Sequence, residues 1–519
     1  MFHERRVSRV LALILFFASR SIRLSAASDC APYPVRLDLK NVTLGNTTAR
    51  GVSLSVGSPE QSFAFLPQWP LNSTFVYGTD GHCTESWSKA ACRTFRGGTY
   101  DSSASATYQE VSSDLTEAPP YSAFIWGKDK LLLNSNITLP EFPIGIAQSD
   151  FGTQGYHPQV AFGLGRSSVM LNSLYTAGHI ASRSWSMFWG RTGGTRETQQ
   201  DGSFVFGGFD RSKASGKNYT SVLNYSSNDC STGMLVTITD IALNFPNGTT
   251  ASLFDGMRSS AISACLVPDF PVLMTLPREP YFKRFESFTD QTLTQRTFGV
   301  YYYGVLYPNS SSAYTGDLTI TFNSGLSVRV PNDQLVVPTL TINKSTGSLL
   351  ANGSSPELLI NPIQHINKDD LPLIGRQFLS SAYLMVNQDA NTFTLWNAAP
   401  NKVEDLVAID RFNRVVDSHC DATSSPAPIA RDDEDHKMSN GVIAGIVIGS
   451  VAGVAIIAAG VFFLLTKRRR LQQTSGDGDS YPATGYTDHL TELGPSARDP
   501  YIPYELPAKP SPPRRFELP

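Results

Sequence analysis

The chain has 519 residues, 41% of them hydrophobic and 17% charged, with a formal net charge of −3. That balance offers no basic excess for binding nucleic acid. The six cysteines form no Cys-x-x-Cys pair and the histidines do not cluster, so neither a metal site nor a redox cofactor has support in the sequence.

The N-terminus comes first. Arg5, Arg6 and Arg9 precede an apolar run, Val10–Ala18, that is too short to span a bilayer. Ser25-Ala26-Ala27 supplies small residues for cleavage, so residues 1–27 read as a secretory signal.

Residues 28–399 carry the pattern of a folded, mainly β ectodomain. Val52, Leu54 and Val56 alternate, Gly57-Ser58-Pro59 turns the chain, and Phe63 and Phe65 resume the alternation. Leu318, Ile320 and Phe322 lead through Asn323-Ser324-Gly325 to Leu326, Val328 and Val330. Tyr383–Val386 and Phe393–Trp396 flank a third turn. Period-two runs bounded by Gly, Asn and Pro are the mark of antiparallel sheet, and the segment's length exceeds one ordinary core, which points to two lobes.

All six cysteines, Cys30, Cys83, Cys92, Cys230, Cys265 and Cys420, precede the long apolar run described below, as suits an oxidising compartment. Cys83 and Cys92 are spaced to close a short loop, while the other four leave three pairings open. Glycosylation sequons fall at Asn41, Asn46, Asn72, Asn136, Asn218, Asn224, Asn247, Asn309, Asn343 and Asn352, all on the same side of that run.

Residues 400–440 are polar and acidic and read as a stalk. Residues 441–466 then contain no charge and are long enough to cross the hydrocarbon core. Asp432, Asp433, Glu434 and Asp435 precede this segment, and Lys467, Arg468, Arg469 and Arg470 follow it. The basic side stays cytoplasmic, so a single-pass type I protein is expected in the plasma membrane or another secretory-pathway membrane, its bulk extracellular or lumenal. Gly441, Gly445, Gly449 and Gly453 form a small-residue face suited to helix dimerisation in the lipid bilayer. Residues 467–519 read as a disordered proline-rich tail, and Pro510-Ser511-Pro512-Pro513-Arg514-Arg515 fits an SH3-type ligand.

Within the ectodomain, Val56-Gly57-Ser58-Pro59-Glu60-Gln61-Ser62-Phe63 resembles the opening turn of the pepsin-like aspartic proteases. Gly98–Tyr108, the hydrophobic-hydrophobic-Gly element Val160–Gly165, the strand Gly202–Asp210, the second such element Leu373–Leu379 and Tyr383–Val386 follow in the family's order. The resemblance implies a bilobal β fold with a cleft between the lobes. It fails at the catalytic motifs. Counting back from Phe75-Val76, the first catalytic Asp falls on Gln68, with Trp69 and Pro70 in place of Thr and Gly. The second falls on Pro268 without a gap, or on Asp269 with a one-residue deletion. No Asp-Thr-Gly occurs, and the flap motif is not recognisable between Ser112 and Asp129.

The chemistry needs two carboxylates sharing one proton, and Gln68 offers only an amide. A catalytically degenerate, membrane-anchored protein that binds an extracellular peptide or glycan and relays or localises through its cytoplasmic tail is therefore expected. An active endopeptidase with an atypical site and a purely structural surface glycoprotein stand as the alternatives.

Overall fold

The computed structural model describes residues 30–69, 71–111, 124–150, 158–192, 199–226, 229–256, 261–301, 303–401 and 403–420. All of them belong to one compact unit. The signal segment 1–27, the end of the stalk, the apolar span 441–466, its glycine face and the proline-rich tail lie outside the described residues. Among the described residues no helix is long and apolar enough to cross a membrane.

The alternating runs form the expected hairpins. Thr47–Val56 pairs antiparallel with Gln61–Gln68, and Gly57 turns between them at φ +88°, a conformation that favours glycine. Asp317–Phe322 pairs with Ser327–Val330, burying Leu318, Ile320 and Phe322 on one face and Val328 and Val330 opposite. Ala382–Asn387 pairs with Thr392–Ala398, with Asn391 at positive φ in the turn.

Two arrangements repeat one another. In the first, Gln61–Gln68 runs parallel to Ala161–Gly163, and Thr74–Tyr77 lies antiparallel on the other side, itself parallel to Thr138–Ala147. In the second, Ile262–Leu266 runs parallel to Leu373–Ile374, and Met274–Pro277 lies antiparallel to that, itself parallel to Ile360–Ile363. Between these repeats in strand connectivity, Ala214–Val222, Thr392–Ala398, Ala382–Asn387, Ser184–Phe188, Gly202–Phe206 and Val35–Leu44 line up in one continuous sheet. Trp185, Phe204, Phe206 and Phe162 pack together on it, and each is at most 1% exposed. Burying aromatic surface of this size is the main stabilising contribution, at roughly 25 cal/mol per Å² removed from water.

The folded part extends past the Ala399 limit expected from the sequence. Leu406–Ile409 pairs with Gly208–Asp210 and with Val415–Val416. Its four apolar residues are buried, and their polar surroundings hid them as a strand. Cys30 and Cys420 are joined, Ala31 donates to the Ser418 carbonyl, and Cys420 donates to that of Ala31. Both ends of the folded segment are thereby stitched together. Cys83 pairs with Cys92 as expected, and Cys230 with Cys265 completes the set.

Candidate active site

Gln68 ends the strand Gln61–Gln68, whose last six residues are buried on both faces. The Gln68 carbonyl accepts from the Leu164 N–H at 3.0 Å. Its side chain is 4% exposed, and its Nε2 has no hydrogen-bond partner among the described residues. An amide buried this way does not titrate, so it is no general base.

Trp69 follows, buried at 5% exposure. Its indole N–H donates to the Ser231 carbonyl at 2.8 Å, and its ring stacks on Tyr225 at 6.2 Å with the planes 7° apart. The Arg166 guanidinium lies 4.5 Å from the centroid of the same Tyr225 ring. Burial pushes the Tyr225 phenol up to about 12, with Arg166 opposing the rise. Where the resemblance calls for a Thr, a large side chain is locked onto residues that follow the strand Ala214–Val222.

The second repeat ends differently. Thr232 Oγ1 donates to the Leu266 carbonyl at 2.8 Å beside the Cys230–Cys265 bridge. Val267 donates to the Ile374 carbonyl, and Phe270 then donates back to Val267 at 3.0 Å. That bond closes a tight turn with Pro268 and Asp269 at its centre, residue types that suit turn corners. Asp269 is 1% exposed and Phe270 6%.

Backbone register shows how the two repeats correspond. Leu66 donates to the Val160 carbonyl, and Cys265 donates to that of Pro372. Each acceptor stands three residues before the glycine of its hydrophobic-hydrophobic-Gly element, Gly163 or Gly375. Two residues beyond Leu66 is Gln68, and two beyond Cys265 is Val267. The register partner of Gln68 is therefore an apolar valine, and Asp269 lies two residues further on, inside the turn.

Arg376 was not singled out from the sequence; its one signal was a charge inside the apolar run Leu373–Leu379. Its N–H donates to the Phe270 carbonyl at 2.8 Å and its Nη1 to the Asp269 carbonyl at 3.3 Å. The guanidinium lies 5.0 Å from the Trp189 ring centroid. Burial pulls Arg376 down to about 10, while the field of Asp269 favours its charged form. Asp269 thus lies beside a buried cation.

Open space lies beside this point. A cavity of about 440 Å³ is lined by Arg50, Trp189, Tyr301 and Arg376, with Phe298 and Leu349 among its more exposed residues. No group of described residues has the composition to hold a metal ion. His179 and His365 are not part of any such group, and His157 lies outside the described residues. Of the sequon asparagines, eight are exposed; Asn72 and Asn343 are half-buried, their side chains accepting from Ser167 and Ser345.

The profile of the eukaryotic aspartyl protease family matches residues 51–398, a span holding both repeats and both turns. The chain belongs to the eukaryotic aspartyl protease family. Among curated proteins, no sequence matches it.

Proposed function

We propose that this chain is a catalytically silent member of its family that binds an extracellular peptide or glycan. The observation that carries the reading is the pair of strand ends: Gln68, an amide, matches Val267, an apolar residue. Aspartic proteases place at such points two carboxylates close enough to share a proton. With neither there, water activation and protonation of the substrate carbonyl lose their groups. The packed side chain of Trp69 supports the same reading, since it occupies volume beside Gln68. Binding is assigned to the cavity beside Arg376 because Trp69 and Phe270 are buried in the core at the two turns.

We place the protein in a secretory-pathway or plasma membrane through residues 441–466, with the sequons outside and the tail in the cytosol. Pairing through Gly441, Gly445, Gly449 and Gly453 and an SH3-type partner for the tail would carry a binding event inward. The support for these steps is the sequence pattern alone.

The test is a peptidase assay on the full-length chain in detergent micelles, using a mixed peptide library from acid to neutral pH. Silence across the range fits the proposal. Acid cleavage that pepstatin blocks and Asp269→Asn abolishes would sink it and establish an atypical enzyme.

A further inference from the structure

We infer that the cavity beside Arg376 holds the core of an N-linked glycan carried by the chain's own Asn41. The inference rests on the readings that this cavity binds a ligand and that the chain passes through the secretory pathway. It narrows that ligand to a glycan and names its source.

Register places the sequon Asn41-Val42-Thr43 on the cavity side of its hairpin. Asn41 pairs across the sheet with Arg50, and Thr43 pairs with Thr48. Directly opposed residues project from the same face, with Cβ atoms about 5 Å apart. Asn41, Thr48 and Arg50 all line the cavity, whereas Val42 alternates to the other face and is buried there. Asn41 and Thr43 are both exposed, so the transfer of a glycan can reach them.

Three other sequon asparagines lie close in sequence to lining residues, but none is on the lining. Asn46 belongs to the hairpin turn. Asn343 is half-buried, and its Oδ1 accepts from the Ser345 and Thr346 N–H groups at 2.9 and 3.0 Å. Asn352 alternates with Ala351, a lining residue, and so projects from the opposite face of its strand.

A pyranose has apolar C–H faces and a rim of hydroxyls, so it needs flat rings and hydrogen-bonding groups interspersed. Trp87, Phe95 and Phe298 supply ring surface, and the first two pack on each other with centroids 5.0 Å apart. Thr48, Gln159 and Gln199 supply hydroxyl and amide groups, so sugar hydroxyls can keep partners on leaving water. Two bonds hold the wall in place: Ser88 N–H donates to the Lys344 carbonyl at 2.8 Å, and Thr94 Oγ1 to that of Gly347 at 2.8 Å. Asn41 also borders a second cavity, of about 390 Å³. No aromatic ring lines that one, and its Arg36 is already paired with Glu404 at 2.8 Å. Tethering makes a weak sugar contact sufficient, because a short flexible link gives an effective concentration on the order of millimolar.

The experiment uses the full-length chain made in a eukaryotic cell and purified in micelles. Glycopeptide mass spectrometry reads occupancy, and a peptide N-glycosidase added to native and denatured protein reads access. Asn41 should carry a glycan released from the native chain at least about tenfold more slowly than that on Asn247, which is exposed in a turn. Denaturation should abolish the difference. Phe298→Ala alters a residue that is 57% exposed and should bring the two native rates to within about twofold. Thr43→Ala removes the sequon and should let the cavity take up free diacetylchitobiose, read by ligand-observed NMR, which the glycosylated parent should not bind. Equal native release at Asn41 and Asn247, or protection that survives both Phe298→Ala and Trp87→Ala, would overturn the inference. So would a Thr43→Ala chain that takes up no diacetylchitobiose, or a parent that takes up as much. An unmodified Asn41 on a chain glycosylated at Asn247 would overturn it and leave the cavity to a ligand from outside. A chain with no glycan at any sequon would overturn it together with the secretory placement.

Discussion

The Trp69 indole and the Tyr225 ring lie parallel at 6.2 Å, joining the end of the strand Gln61–Gln68 to a segment far along the chain. With the bond from Trp69 to the Ser231 carbonyl, this contact turns a position that resembles a catalytic loop into part of the core. A large indole seated in this way has consequences for stability.

Trp69→Ala should destabilise the chain by about 3–5 kcal/mol, the usual cost of emptying a large aromatic site. Trp69→Phe keeps most of the stack and loses the N–H donor, at a cost of about 1 kcal/mol. Urea denaturation followed by circular dichroism measures both. A Trp69→Ala variant as stable as the parent would mean that the seat contributes no packing energy.

Gln68→Met should be neutral or stabilising by up to about 1–2 kcal/mol, because it removes a buried amide N–H group left unsatisfied among the described residues. Gln68→Asp should go the other way and still produce no peptidase, since Val267 stands at the matching strand end. Melting temperature and peptide cleavage read the two variants side by side. Cleavage by Gln68→Asp alone would show that a second carboxylate was already in place.

Glu357 gives a pH dependence whose sign can be worked out. It is fully buried on the strand Leu349–Leu358, and burial pushes its carboxyl up to about 8, with the polar influence of Thr297 and Thr339 opposing the rise. The folded state therefore holds a proton that the unfolded chain releases near the ordinary value of 4.5. Stability from this group is full below that value and is lost as pH rises toward about 8. Glu357→Gln should flatten that decline and raise the melting temperature at neutral pH. An unchanged slope from pH 5 to 8 in the variant would assign the dependence elsewhere.

Replacing Cys30 and Cys420 together by serine releases a link across a sequence separation of 390. The expected cost is about 2–5 kcal/mol. Limited proteolysis should then cut first near Leu406–Ile409, whose pairing with Gly208–Asp210 the bridge helps to hold. Cutting that begins elsewhere would show that this strand holds without the bridge.

Much of the fold was legible because period-two burial writes itself into short windows. The pairs Thr47–Val56 with Gln61–Gln68 and Asp317–Phe322 with Ser327–Val330 are local, as is Cys83 with Cys92. Gln68, where the resemblance calls for an Asp, was equally local. What stayed hidden depended on distant partners. Whether Asp269 or Val267 matches Gln68 is fixed by the bonds to Pro372 and Ile374, far along the chain. Trp69 finds Tyr225 and Ser231 only after the sheet forms, and Arg50 and Arg376 each reach Trp189 only in the folded chain. The strand Leu406–Ile409 was masked by the polar residues around it.

Catalytic silence is tested most directly by titrating the full-length chain in micelles with pepstatin at acid pH in a calorimeter. An inhibitor that reads a proton-sharing pair of carboxylates should give no binding heat and no shift in melting temperature. Saturable binding that Asp269→Asn removes would contradict the reading of Gln68 and Val267 as the ends of a site that no longer cuts.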